Sequence, residues 1–190
     1  MVQQHPVILT GRHCGTCTIC CTLLPISTER FRKTANQLCK HCDDGQGCRI
    51  YQSRPDFCRN FYCEWRLNPQ IPATWRPEKS GIFIQRISRE HIEGIPDTYD
   101  SPYALIFVLL RPDSVERPAL VETIAGYVYR HVPVFLALPG PVGYLPAQIL
   151  LNEAMEAAVA QRDPGAMTII LRQALQALKR QEFEAVPEFG

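Results

Sequence analysis

The stretch that decides the fold is Cys14-Gly15-Thr16-Cys17-Thr18-Ile19-Cys20-Cys21, which places four thiols within eight residues. Free cysteines that pack as small hydrophobic residues would be scattered along a chain, whereas metal ligands come in clusters with short spacings. Five further cysteines follow this stretch, and none occurs after Trp65. The clustering therefore predicts metal binding, and all nine thiols are candidate ligands: Cys14, Cys17, Cys20, Cys21, Cys39, Cys42, Cys48, Cys58 and Cys63.

Disulfide bonding is a competing explanation for nine cysteines. It requires an oxidising compartment, and an odd number of cysteines leaves one thiol unpaired. Residues Met1 to Thr10 show no basic segment followed by an apolar one, so we expect no secretory signal. No run of eighteen apolar residues occurs, and we expect no membrane span. The sequence therefore predicts a cytoplasmic protein with reduced thiols.

The spacing within the first stretch also predicts local structure. Cys14, Cys17 and Cys20 recur at every third position, but Gly15 and the threonines are poor helix formers, so we expect a loop or a short helical turn. Neighbouring side chains diverge, so Cys20 and Cys21 are expected to bind two different ions or two atoms of one cluster. A tetrahedral site takes four thiolates. Eight ligands would make two such sites or one larger cluster.

Two other segments are expected to complete the site. Asp43-Asp44-Gly45 is a turn signal, which predicts a hairpin that presents Cys39, Cys48 and, as a further candidate, Cys42. Pro55 predicts the start of a helix. Three aromatic residues then recur at every fourth position and predict a buried stripe on that helix: Phe57, Phe61 and Trp65.

Charge is uneven along the chain. The segment from Arg12 to Arg66 carries nine Arg or Lys and five Asp or Glu residues, although the whole chain has a net charge of +1. A basic surplus is compatible with nucleic-acid binding, but it equally balances metal-bound thiolates. We therefore do not expect a nucleic-acid partner. Arg54 and Arg59 are candidates to bond thiolates or nearby carbonyl groups.

Three pieces of this segment together resemble the YkgJ-like cysteine-cluster (CxxCxxCC) family, which is described as zinc- or iron-chelating. They are Cys14-x-x-Cys17-x-x-Cys20-Cys21, then Cys39 with Gly47-Cys48-Arg49-Ile50-Tyr51, then Arg54-Pro55-x-x-Cys58-Arg59-x-Phe61-x-Cys63. The resemblance covers residues 12 to 66 and implies chelation by every cysteine except Cys42, which stands where an apolar residue is more usual. A related pattern in flagellin lysine methylases is linked to an iron–sulfur cluster, so iron stays open.

The remainder of the chain has a different pattern. Residues 81–87, 103–110 and 132–138 are apolar, β-branched runs that predict strands, and residues 114–130 predict an amphipathic helix. Residues 148–160 favour strand at their start and helix afterwards. Asp163-Pro164 predicts the cap of a last helix that ends near Glu182.

Together these patterns predict an α+β fold. It comprises a cysteine-rich metal-binding module at residues 1–66 and a region at 67–190 packed on it. The second region should hold a mixed sheet of three or four strands covered on one face by two or three helices. Val7-Ile8-Leu9 is expected to add a short edge strand, and the tail from Ala185 onward is expected to fray.

Two functions follow from the thiols. The first is zinc binding in closed tetrathiolate sites, with the α+β region available to a protein partner. The second is an iron–sulfur protein, either a modifying enzyme or an electron carrier. The chain has no phosphate-binding glycine motif, His-Glu-x-x-His or Gly-x-Ser-x-Gly, and no pair of acid–base residues stands out.

Overall fold

The computed structural model describes residues 7–186, and its first part is made of very short elements. We call residues 7–66 the cysteine region and residues 67–186 the sheet region. The helices of the cysteine region span at most five residues, and each of its strands spans two. In chain order they are α1 (Ile19–Leu23), β1 (Ile26–Ser27), β2 (Arg32–Lys33), β3 (Cys42–Asp43), β4 (Gly47–Cys48), α2 (Asp56–Asn60) and α3 (Glu64–Leu67, which ends one residue beyond the region).

The sheet region contains the longer elements. They are α4 (Pro77–Ser80), β5 (Ile82–Ser88), β6 (Tyr103–Leu109), α5 (Pro118–Tyr129), β7 (Val134–Leu138), β8 (Ala147–Leu150), α6 (Asn152–Ala160) and α7 (Pro164–Leu178). Asp163 caps α7, because its carboxylate accepts a hydrogen bond of 2.9 Å from the amide of Ala166. The predicted α+β class is therefore confirmed, with four strands in one mixed sheet and three long helices.

The four long strands lie in the order β5-β6-β7-β8. The pairs β5–β6 and β7–β8 are antiparallel, and β6 runs parallel to β7 with α5 as the connection. The two central strands are almost entirely buried, as expected for strands covered on both faces. The ambiguous residues 148–160 resolve into β8 followed by α6.

The two faces of the sheet have different cover. Helices α5, α6 and α7 bury one face around Leu105, Phe107 and Leu136. The sequence predicted helices on one face only, as observed, and the other face packs against the cysteine region. Phe83 and Ile106 on this other face are buried beneath apolar residues of the cysteine region, of the end of β5 and of the chain that follows it: Ile19, Leu23, Leu24, Phe61, Ile87, Ile92 and Ile95.

Two expectations about the cysteine region, a single helix from Pro55 and an edge strand at residues 7–9, are wrong. The single helix from Pro55 is two short helices, α2 and α3, with extended backbone between them, and Phe57 is 50% exposed instead of buried. Residues 7–9 form no strand, although the amide of Leu9 donates to the carbonyl of Arg66 at 3.0 Å. Ala185 pairs with Tyr144 in an isolated bridge, and residues 187–190 of the expected frayed tail lie outside the described residues.

No helix in residues 7–186 combines the length and the apolar character that crossing a membrane requires.

Candidate metal centre

The cysteine region folds so that its thiols meet. Eight of the nine predicted ligands line a single cavity of about 70 Å³ between α1, the β3–β4 hairpin and α2: Cys14, Cys17, Cys20, Cys21, Cys39, Cys42, Cys48 and Cys58. The ninth, Cys63, lies at the start of α3 and lines an adjoining cavity. None of the nine cysteines forms a disulfide. The structure therefore gathers all the sequence-predicted site residues in one part of the molecule.

Two Cys-x-x-Cys turns form one side of the site. The amide of Cys17 donates to the carbonyl of Cys14 at 2.9 Å, and the amide of Cys42 donates to the carbonyl of Cys39 at the same distance. Cys42 pairs with Cys48 across the predicted hairpin. Gly47 closes this hairpin with φ +94°, and a side chain there would collide with the carbonyl of Gly15. The two turns can therefore approach each other only because residue 47 is glycine.

The thiols divide into two groups. The adjoining cavity, of about 20 Å³, is lined by Cys14, Cys17, Cys20 and Cys63. The remaining five, Cys21, Cys39, Cys42, Cys48 and Cys58, lie on the side of the β3–β4 hairpin. The adjacent pair joins the groups, because the Sγ atoms of Cys20 and Cys21 are 4.0 Å apart. Two tetrahedral sites require four thiolates each, so this division supplies enough thiols for both and leaves one over on the hairpin side.

The thiols lie near one another, but their sulfur atoms do not converge on one position for a metal ion. Within residues 7–186, no three His, Cys, Asp or Glu side chains are placed so that they could hold a metal ion. In a tetrahedral zinc site with bonds of about 2.3 Å, neighbouring sulfurs lie about 3.8 Å apart. The Cys20–Cys21 separation of 4.0 Å is close to that value. The donor set fits a thiolate-bound metal by its chemistry and number, and binding would have to contract it.

Burial changes the acidity of the thiols. It raises the pKa of Cys17 to about 12 and that of Cys63 to about 11. A hydrogen bond from Cys20 is the main reason that the pKa of Cys21 falls to about 6. At neutral pH Cys21 is therefore a thiolate, while Cys17 and Cys63 keep their protons until a metal displaces them.

Two buried cations lie beside the thiols, and the sequence analysis missed both. Lys33 is 9% exposed and donates to the carbonyls of Thr22, Leu24 and Thr34 at 2.7–2.9 Å. Arg66 is 6% exposed, and its guanidinium lies 3.5 Å from the Sγ of Cys14. Neither side chain pairs with a carboxylate among the described residues. Because buried charges are normally paired, ionised thiols are the nearest groups able to balance them.

A side chain of the sheet region also bonds the Cys14–Cys17 turn. Arg76 donates to the carbonyl of Cys14 and, at 3.2 Å, to the hydroxyl of Thr16. Glu78 on α4 pairs with Arg76 at 2.6 Å. No local sequence pattern predicts this contact, because about sixty residues separate Arg76 from the turn.

The arginines that we did expect near the site bond carbonyl groups instead of thiols. Arg54 stacks over the ring of Tyr51 at 3.7 Å and donates to its carbonyl at 2.9 Å. Arg59 donates to the carbonyl of Arg54 at 2.9 Å and pairs with Asp56 at 3.6 Å. Both therefore stabilise the entry to α2, one wall of the thiol cavity.

Comparisons with family models, with curated proteins and with solved structures find no match to this chain. The resemblance to the YkgJ-like family thus stays a prediction that depends on the three sequence pieces between residues 14 and 63.

Proposed function

We propose that this is a cytoplasmic metal-binding protein of the cysteine-cluster type, which holds zinc through cysteine thiolates. One observation carries the proposal: nine thiols gather beside two buried cations, Lys33 and Arg66, that have no carboxylate partner among residues 7–186. Two cations balance only part of the charge that ionised ligands would carry. Divalent metal would balance the rest, and all-sulfur ligation suits zinc.

The two thiol groups support two ions. The first would be held by Cys14, Cys17, Cys20 and Cys63, which share the smaller cavity. The second would be held by Cys21, Cys39, Cys48 and Cys58. We assign Cys42 a supporting role, because it is the one cysteine that is fully buried and it lies beside Cys21. Closed four-thiolate sites of this kind stabilise the fold around them, since metal binding and local folding are one equilibrium.

Elemental analysis and X-ray absorption of protein purified without oxygen test the proposal. We expect one to two zinc ions per chain and a zinc edge with sulfur neighbours at about 2.3 Å. Cys63→Ser and Cys58→Ser should each lower the zinc content by about one ion, from different sites. Cys42→Ser is the matched control and should keep the full content. Less than about one metal ion per chain in the wild-type protein would rule out the proposal.

A second candidate is an iron–sulfur protein, either a modifying enzyme or an electron carrier. The contact between Cys20 and Cys21 at 4.0 Å favours it, because adjacent thiols at the junction of two groups suit different irons of one cluster. Such a protein, purified without oxygen, would be brown and absorb at about 400 nm. Colourless protein loaded with zinc under those conditions would exclude this candidate.

A further inference from the structure

A cleft that contains no thiol lies on the same side of the sheet as the cysteine region. Its volume is about 620 Å³, which is within the range of sites for small organic molecules. Phe83, Ile106 and Phe135 of the sheet lie at its bottom but are at most 5% exposed, so its accessible apolar surface comes from half-buried side chains above them, Ile87, Ile92 and Leu145. Leu23 and Leu24, from α1 and the residue that follows it, form one wall. The cleft is therefore a gap in the cover of the second sheet face, bounded by both regions of the molecule.

The opposite wall is fixed by backbone hydrogen bonds. The amide of Leu145 donates to the carbonyl of Glu184 at 2.8 Å, and the amide of Val186 donates to the carbonyl of Gly143 at 2.9 Å. The side-chain amide of Asn36 donates to the carbonyl of Tyr144 at 2.8 Å. These bonds tie the C-terminal segment, the β7–β8 loop and the cysteine region together, so the cleft is formed without a ligand.

The rim of the cleft carries negative charge. Glu93 stands on the loop after β5, and Glu182 and Glu184 stand on the C-terminal segment. None of the three carboxylates takes part in an ion pair within residues 7–186. Among residues 7–186 no Lys or Arg lines the cleft, and the one basic side chain there is His91, which pairs with Glu90 at 3.6 Å. The cleft thus combines an apolar interior with an acidic rim.

We propose that this cleft binds a small amphipathic amine: an aromatic or aliphatic body in the apolar interior, and an ammonium group at the rim. The apolar body would cover the half-buried Leu24, Ile87 and Ile92, and the ammonium would lie among the carboxylates. The half-buried amides of Gln85 and Gln148 supply further oxygen acceptors for its N–H groups. An anionic ligand of the same shape would meet only repulsion.

A titration of the full-length protein, as isolated and with its metal content measured, tests the proposal. The probes are 2-phenylethylamine, its neutral analogue 2-phenylethanol and the anion 3-phenylpropionate, followed by ¹⁵N backbone spectra. We expect the amine to bind about fivefold more tightly than the alcohol, with shifts on β5 and β6 and no shift from the anion. Salt should reduce the preference, because exposed charges are screened.

Variants that remove the rim charges test whether the carboxylates cause the preference for the amine over the alcohol. Glu93→Gln, Glu182→Gln and Glu184→Gln together should lower the affinity for the amine to that for the alcohol. The matched control replaces three exposed carboxylates that do not line the cleft, Glu29→Gln, Asp113→Asn and Glu122→Gln, and should leave the preference intact.

Several results would overturn the proposal: no binding of any probe, equal binding of amine and alcohol, shifts outside the cleft, or an unchanged preference in the rim variant. A lysine-containing peptide that binds where the amine does not would point instead to a protein partner. No thiol lines the cleft, but Leu23, Leu24 and Asn36 belong to the cysteine region. Failure of the amine to bind metal-loaded protein therefore overturns the cleft proposal alone, whereas a low metal content overturns the zinc proposal alone.

Discussion

The cysteine region and the sheet region are held together by different means. The sheet region has strands of four to seven residues, and its helices α5 to α7 have nine to fifteen. In the cysteine region no strand exceeds two residues and no helix exceeds five. Helices this short are not stable by themselves in water, and two-residue strands provide few ladder hydrogen bonds.

Burial shows the same difference. Between residues 7 and 66 the buried hydrophobic side chains are Ile26, Ala35, Cys42 and Trp65, whereas the sheet region buries nearly all of its central strands and one side of each long helix. A segment with so small an apolar core needs another source of stability, and in natural proteins disulfides or metal ions supply it. The comparison suggests that thiol-bound metal replaces a hydrophobic core in the cysteine region.

Removal of metal should have the largest effect, and it should affect the cysteine region alone. A chelator added to reduced protein without oxygen should unfold the cysteine region, because metal binding contributes on the order of 10 kcal/mol to such sites. Hydrogen exchange is the measurement: amides of residues 14–63 should lose protection, while those of β6 and β7 keep it. Equal protection in both regions before and after chelation would mean that metal does not hold the cysteine region.

The second-largest expected effect is that of pH on zinc binding by the cysteine region. The pKa values of Cys17 and Cys63 are raised by burial, so these thiols hold protons at neutral pH that zinc must displace. Zinc affinity should therefore rise with pH and fall as pH drops. Cys21, with its pKa lowered to about 6, is already ionised at pH 7.5 and releases no proton there.

Zinc binding at the first site should therefore release at least three protons at pH 7.5, from Cys17, Cys20 and Cys63, whose pKa values are all raised. With three protons displaced, each unit by which the pH falls weakens zinc binding at that site by about 4 kcal/mol. Indicator titration in weak buffer measures the release, and Cys21→Ser should lose one zinc without lowering the protons released at the other site. A zinc affinity that does not change between pH 6 and pH 8 would contradict these pKa values.

A cavity made in the core of the sheet region should destabilise that region without releasing zinc. Phe107 on β6 is 0% exposed, and Phe107→Ala should lower the free energy of unfolding by about 4 kcal/mol. Urea unfolding measures the loss, and Tyr129→Ala, at a side chain that is 73% exposed, is the control with a change below about 0.5 kcal/mol. Zinc content should stay unchanged at low urea. A loss of zinc in folded Phe107→Ala would show that the regions are not separately stabilised.

The sequence predicted the sheet region better than the cysteine region, for a physical reason. Patterns such as the apolar run in β6 or the Asp163-Pro164 cap express local preferences that the structure keeps. In the cysteine region, tertiary contacts override such preferences. The chain breaks at Phe61, where a continuous helix was expected, and the Phe61 ring stacks on Phe83 with centroids 6.3 Å apart.

The candidate site shows the same limit. Cysteine spacing is a local signal, so the ligand list could be written from the sequence. The burial of Lys33 and Arg66, and the contact of Arg76 with the Cys14–Cys17 turn, depend on contacts between distant segments and had no local signal. The cover of the second sheet face, however, had a signal that the sequence analysis did not use, because a strand as uniformly apolar as β6 needs both faces covered.

The junction between the regions offers the smallest and most specific test. Glu64 on α3 is 0% exposed and forms a two-oxygen ion pair with Arg86 on β5, at 2.8 Å and 3.0 Å. Asn68 donates to the same carboxylate at 3.1 Å and to the hydroxyl of Tyr127 at 2.6 Å. Glu64→Gln keeps the shape but removes the charge that Arg86 faces.

We expect Glu64→Gln to cost about 2 kcal/mol, less than a fully buried pair because Arg86 is 43% exposed. Glu116→Gln is the matched control, since Glu116 forms a similar two-oxygen pair with Arg172 on the surface, and it should leave the urea midpoint nearly unchanged. Urea unfolding followed separately in each region measures both variants. The ion pair links α3 at the end of the cysteine region to β5 of the sheet region. If it couples the two regions, their unfolding transitions coincide in the wild-type protein and separate in Glu64→Gln. Equal losses in both variants, with coincident transitions, would mean that the apolar contact of Phe61 with Phe83 joins the regions without help from the ion pair.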